Sequence, residues 1–237
     1  MSSDDGSIGH ISIHNTQLKH ADGVYDTIRL GYGVPLSEDS DDCSPKHVLT
    51  KQLDRFPEGQ FVAVCEQDGI AQVVGVAITM RTSRPPSDQT LTWAEQVGDL
   101  SLPQHEPDGK WLYGVDMVVR PNFRRRGVGT ALYNARFELV KRLNLRGWYA
   151  GGMLMGYNQY AAVMDVETYA NKVRRRELKD PTVTMQMNRG FKAVSLIKEY
   201  YPMPDAHSAA MFIVWHNPLY KPAHGKTLRG ESVIQRT

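Results

Sequence analysis

The sequence predicts a mixed α/β domain built on a central sheet of about seven mostly antiparallel strands, flanked by helices. Three observations predict it. Two apolar runs, residues 60–67 and 71–82, are joined by the turn pair Asp68-Gly69, which marks a β-hairpin. A nearly continuous apolar run at 111–119 leads through a glycine-rich turn into an amphipathic helix, as a central strand covered on both faces would. Two alternating runs, 191–199 and 209–215, close the pattern as an antiparallel pair.

The elements follow in order. His10-Ile11-Ser12-Ile13-His14 alternates polar and apolar residues, placing both isoleucines on one face of a first strand. Asp22 is the expected cap of a helix through Tyr25, Ile28 and Leu30. Residues 37–44 are rich in acid and serine and predict a loop before a helix from Pro45 that carries Val48, Leu49 and Leu53. After the hairpin, Pro85, Pro86, Pro103 and Pro107 make residues 84–109 a long loop with a short helix near Trp93, a candidate lid.

The next helix spans 127–143, with Val128, Leu132, Ala135, Leu139 and Leu143 spaced at three and four. A short strand is expected at 148–150. Asp165 is the expected cap of a helix through Val166, Tyr169, Ala170 and Val173, whose basic last turn suits the helix dipole. Asp180-Pro181 predicts a shorter helix with proline at its first position, ended by Gly190 in a left-handed cap. Residues 1–218 are thus expected to form one domain with a helical insertion after the fifth strand, roughly 152–180, and 219–237 a C-terminal tail.

Bulk composition narrows the function. With 237 residues, 41% of them hydrophobic, the chain can bury a full core. Its 28 basic and 26 acidic residues leave a net charge of +2, no field that would call for nucleic acid or a membrane as partner. Two cysteines, Cys43 and Cys65, make no disulfide framework, and Cys65 behind Phe61-Val62-Ala63-Val64 is an expected buried thiol. The polar, acidic start Met1-Ser2-Ser3-Asp4-Asp5-Gly6 lacks the basic and apolar regions of a secretory leader, so a cytoplasmic protein is expected.

The chemistry concentrates after the central strand. Arg120-Pro121-Asn122-Phe123 leads into Arg124-Arg125-Arg126-Gly127-Val128-Gly129-Thr130 and then the helix. A helix start has unpaired N–H groups and partial positive charge, so it suits a pyrophosphate, and the two glycines let phosphate oxygens approach the backbone. Asp116 is a lone carboxylate within the apolar strand, where burial raises its pKa toward that of a useful base.

Arg124, Gly127 and Gly129 behind Val118-Val119-Arg120-Pro121 resemble motif A of the GNAT acetyltransferases, and Asn188-Arg189-Gly190-Phe191 resembles the end of that family's motif B. Residues 111–218 further resemble the acetyltransferase domain often fused to nitrilase-like carbon-nitrogen hydrolases. The resemblance implies the GNAT fold and acetyl-CoA, or another acyl-CoA, as co-substrate without a metal. Its pantetheine arm would lie between the strand ending near Val119 and that near Tyr149. Backbone groups of Met117, Val118 and Val119 would pair with the arm. Arg125, Arg126, Gly127, Val128, Gly129 and Thr130 would hold the phosphates, with Arg124 beside them. The acceptor would be a small-molecule or peptide amine, and a homodimer could pair through an exposed last strand.

Acyl transfer needs a base for the amine and a donor for the leaving sulfur. Asp116 is the candidate base, against a structural carboxylate bonded to a neighbouring loop. Many relatives place an acidic tyrosine four residues before the closing glycine of motif B, where this chain has Gln186. Tyr157, Tyr160 and Tyr200 are the candidate replacements, and the amide of Val118 or Val119 the candidate oxyanion donor.

Other patterns carry less. Gly127-x-Gly129 lacks the third glycine and the later acid of a dinucleotide site, which would fall at Leu132 and near Tyr149. His10 and His14 lie on a strand, not one helix face, so a solvent-facing pair is expected rather than a metal site. Lys172, Arg174, Arg175, Arg176 and Lys179 form an expected solvated helix end.

Overall fold

The computed structural model describes residues 9–36, 46–87 and 91–222. Seven strands form one sheet in the order β1-β2-β3-β4-β5-β7-β6, comprising β1 (His10–Asn15), β2 (Phe61–Gln67), β3 (Ile70–Thr82), β4 (Trp111–Val119), β5 (Gly147–Met153), β6 (Lys192–Ile197) and β7 (Ala210–His216). Every neighbouring pair is antiparallel except β4 and β5. The β2–β3 hairpin turns on Asp68 and Gly69, at φ 53° and 75°, the positive values a two-residue turn of this kind requires.

Among the described residues six α-helices pack around the sheet: α1 (Ala21–Gly31), α2 (Lys46–Arg55), α3 (Trp93–Val97), α4 (Val128–Arg142), α5 (Val166–Arg174) and α6 (Val183–Asn188). Their apolar stripes divide the core into two layers. Leu132 and Leu139 of α4, Tyr169 of α5 and Val183 of α6 pack with Trp148 and Phe191 on one side. Val24 and Ile28 of α1 and Val97 and Leu102 of the long loop pack with Tyr113, Tyr149 and Phe212 on the other. With Val97 and Leu102 fully buried, that loop is a wall of the core and not a free lid. Cys65 is buried, and His10 and His14 are exposed on β1, as the alternation predicts.

Four expectations are corrected. Asp22 lies inside α1, because a 3-10 turn at Leu18–His20 runs directly into the helix and puts His20 at its cap; Asp22 pairs with Lys46 instead. Pro181 precedes α6, because the Asp180 carboxylate accepts the N–H groups of Thr182 and Val183 at 2.9 and 2.8 Å and so starts the helix two residues later. The fifth strand continues past Ala150 through Gly151 and Gly152 to Met153, paired along its length with β7. The last strand is not an exposed edge: β7 is held between β5 and β6, and β6 takes the edge. Cys43, the loop at 37–44, Pro45 and most of the tail lie outside the described residues.

Candidate active site

The two central strands part beyond Tyr113 and Tyr149. β4 and β5 pair at three positions, Trp111 with Gly147, Leu112 with Trp148 and Tyr113 with Tyr149. Beyond them β4 runs to Val119 beside β3, while β5 runs to Met153 beside β7. A register shift against β3 leaves Val115 as the extra residue of a bulge, and its carbonyl accepts a 3.0 Å hydrogen bond from the Trp93 indole. Bulges bend and twist a strand, and here the bend turns β4 away from β5. Met117, Val118 and Val119 all lie on the parted segment.

The turn entering α4 lies beyond the end of β4. Arg125 and Gly127 have φ of 62° and 85°, and Gly127 is the helix cap. The first helical bond runs from the Ala131 N–H to the Gly127 carbonyl at 3.0 Å, so the N–H groups of Val128, Gly129 and Thr130 have no carbonyl within the helix. A Cβ at Gly127 would meet nothing within 4 Å, and one at Gly129 only Met117 Cε at 4.0 Å. The turn is therefore an open cradle of amide donors.

The three arginines differ in their contacts. Arg124 donates to the carbonyls of Val119 and Gly31 at 3.3 and 3.1 Å, tying the end of α1 to β4. Arg126 lies over the Phe123 ring at 5.5 Å. Arg125 is exposed. On the opposite rim, Arg189 donates to the Thr130 hydroxyl at 2.7 Å. The basic residues at and just past the end of α5 make surface contacts, Lys172 with Glu177 and Arg176 with Asn188, as a solvated helix end would.

Asp116 stands at the bulge, partly buried, on the α1 side of the sheet. Its Oδ1 accepts from the Tyr32 hydroxyl at 2.9 Å and from the Met117 N–H at 2.7 Å. Burial outweighs these two stabilising bonds and pushes its carboxyl up to about 6. The Tyr200 hydroxyl lies nearby, close enough to feel the Asp116 charge, and forms a 2.5 Å hydrogen bond with the Tyr113 hydroxyl. Burial pushes Tyr200 up to about 12 and raises Tyr113 well above the ordinary phenol value, so both hydroxyls stay protonated.

Tyr157 and Tyr160 stand elsewhere. Tyr157 donates to the Met164 carbonyl at 3.2 Å, and both rings pack on Tyr169 inside the insertion. Tyr157 and Tyr160 thus pack within the insertion, while the Tyr200 hydroxyl is bonded to Tyr113 of β4. Gln186 donates to the Tyr133 hydroxyl at 3.1 Å while its Oε1 is buried without a partner. The Trp148 Nε1 is likewise buried and unpartnered. These two atoms lie against glycines on either side of the parting: Trp148 Nε1 within 2.9 Å of a Cβ placed on Gly114 of β4, Gln186 Oε1 within 2.3 Å of one on Gly152 of β5.

Sequence reasoning missed Tyr32 and Trp93, whose partners on β4 are distant in the chain and leave no local pattern. It also passed over Arg136, a charge on the apolar stripe of α4 that spacing could have exposed. Among the described residues no group of His, Cys, Asp and Glu is placed to hold a metal ion, and no helix is long and apolar enough to cross a membrane.

Comparison with known proteins matches residues 24–154 to the acetyltransferase (GNAT) family. The chain is 32% identical over 192 residues to YhcX, a probable hydrolase of Bacillus subtilis (strain 168), covering 78% of this chain. It spans only 37% of the length of YhcX. It is 27% identical over 175 residues to YkwB, an uncharacterised N-acetyltransferase of the same organism, covering 74% of this chain and 76% of YkwB. In fold it is similar to the loading GNATL domain of CurA from Lyngbya majuscula, with a TM-score of 0.70 and 15% identity over 88% of this chain and 98% of that one.

Proposed function

The chain belongs to the GNAT acetyltransferase family, and from that premise we propose that it transfers an acetyl or similar acyl group from acyl-CoA to an amine by direct attack in a ternary complex. The parting of β4 from β5 beside the open amide turn carries this reading. The diphosphate would sit on the N–H groups of Val128, Gly129 and Thr130, with Arg125 and Arg126 adding charge. On the face covered by α4 and α6, beside the parting, the buried Trp148 donor and Gln186 acceptor suit an arm that itself carries amide N–H and C=O groups.

In the proposed reaction the amine attacks the thioester carbonyl carbon, the C–S bond breaks and its electron pair passes to sulfur. Asp116 accepts the proton the amine loses, which its raised pKa favours near neutral pH. The paired hydroxyls of Tyr200 and Tyr113 orient the amine beside that carboxylate. The N–H of Val118 or Val119 supports the developing oxyanion.

Gln186, in place of the family's tyrosine, favours a second reading, a CoA-binding module that acts as a sensor or docks on another protein without catalysis. Acetyl-CoA with a panel of small amines, amino acids and peptides separates the two when free thiol is followed. Amine-dependent thiol release that is lost in Asp116→Asn is the expected result. Tight CoA binding with no release above blank for any amine would leave only the module.

A further inference from the structure

Arg136 is 2% exposed, in the third turn of α4. Its Nε donates to the Leu132 carbonyl at 3.2 Å and its Nη2 to the Met117 thioether sulfur at 2.8 Å. The guanidinium is clasped between the rings of Tyr133 and Trp148, 4.4 and 4.3 Å from their centroids. Among the described residues no carboxylate forms an ion pair with it. Burying a cation without a counter-ion is costly, and aromatic faces offset only part of that cost. Burial pulls its pKa down only to about 10, so it is charged at neutral pH.

Its position gives the charge a use. Gly129, Tyr133 and Arg136 lie at i, i+4 and i+7 and share one face of α4. The helix rises about 1.5 Å per residue, which puts Arg136 about 10 Å along the axis from the phosphate turn. Met117 bridges that interval, its Cε beside Gly129 and its sulfur on the Arg136 donor. Methionine is flexible, and its neutral sulfur occupies a donor suited to a charged one. The other groups around the guanidinium are Asp116 on β4, Arg189 at the end of α6 and the Tyr133–Gln186 pair. Asp116 lies on the α1 side, bonded to Tyr32.

Resting on the acyl-CoA reading above, we propose that the Arg136 guanidinium holds the CoA sulfur as it departs as a thiolate, replacing the Met117 thioether. The C–S electron pair then stays on sulfur beside a fixed cation, the amine proton goes to Asp116, and no acid on the chain is needed to protonate the leaving group. This accounts for a glutamine at 186.

The test is the ionisation of CoA bound to the protein, followed by thiolate absorbance against pH, with the desulfo-CoA complex as blank for protein thiols and tyrosines. In the wild type the bound thiol should ionise about one pH unit or more below free CoA, a tenfold effect. Arg136→Met should return it to the free value and lower kcat about 100-fold with acyl-CoA affinity within threefold. Arg136→Lys should keep part of the shift. A wild-type complex that titrates like free CoA overturns the proposal even if Arg136→Met fails to fold, and so does a shift that persists in that variant. Absence of CoA binding by the wild type would sink the acyl-CoA reading as well.

Discussion

The hydroxyls of Tyr200 and Tyr113 lie 2.5 Å apart, joining the segment after β6 to the central strand β4. Gly151 of β5 makes this contact attainable, since a Cβ there would fall 2.3–2.6 Å from atoms of the Tyr200 ring. Gly151→Ala should therefore displace Tyr200, costing about 1–3 kcal/mol, and lower kcat as Tyr200→Phe does. Thermal unfolding and steady-state kinetics of the two variants check this. Full activity in Gly151→Ala with a lowered Tm would remove Tyr200 from the site.

The Tyr32 hydroxyl stabilises the ionised form of Asp116. If that carboxylate is the base, kcat/KM should rise with pH through about 6. Tyr32→Phe removes one of the bonds favouring the charged form, so the same acid limb should move to higher pH. A pH–rate profile measures both, and a limb that stays in place contradicts the assignment.

Stability should report the same group with the opposite sign from an ordinary ion-paired aspartate. Because the folded pKa lies above the unfolded value, the native state retains a proton that the unfolded chain loses between about pH 4 and 6, and stability falls as pH rises through that window. Asp116→Asn should thus stabilise the fold by about 1–2 kcal/mol at pH 7, discounted for partial exposure, and by nothing below about pH 4. Denaturant unfolding at both pH values tests it, together with the loss of activity.

Asp180 anchors the insertion. Its buried carboxylate accepts from the Gly156 N–H, the Tyr169 hydroxyl and the N–H groups of Thr182 and Val183, at 2.8 to 3.1 Å. An asparagine amide would turn its own N–H groups toward two of those donors, so Asp180→Asn should cost about 2–4 kcal/mol. Chemical denaturation gives the value, and a change under 1 kcal/mol would show that the insertion is held by packing alone.

The sequence made local pattern legible and left long-range pairing hidden. The Asp68-Gly69 hairpin, the nine-residue strand at Trp111–Val119 and the Asp165 cap follow from period, turn chemistry and capping, and all three are present. The insertion of β7 between β5 and β6 depends on contacts between distant segments, as does the bulge at Val115 that bends β4. At the site, Asp116 stood out as a charge in an apolar strand. Tyr200 did not stand apart from Tyr157 and Tyr160, because only tertiary packing brings it to Gly151.

We propose that the amide-bearing start of α4 binds the CoA diphosphate. Calorimetry with CoA on the wild type and on Gly129→Glu, whose Cβ would have only Met117 Cε within 4 Å, decides it. Micromolar binding by the wild type, weakened at least about 100-fold in the variant at unchanged Tm, is the predicted result, a loss of about 2.7 kcal/mol. Equal affinity in the two proteins would contradict it.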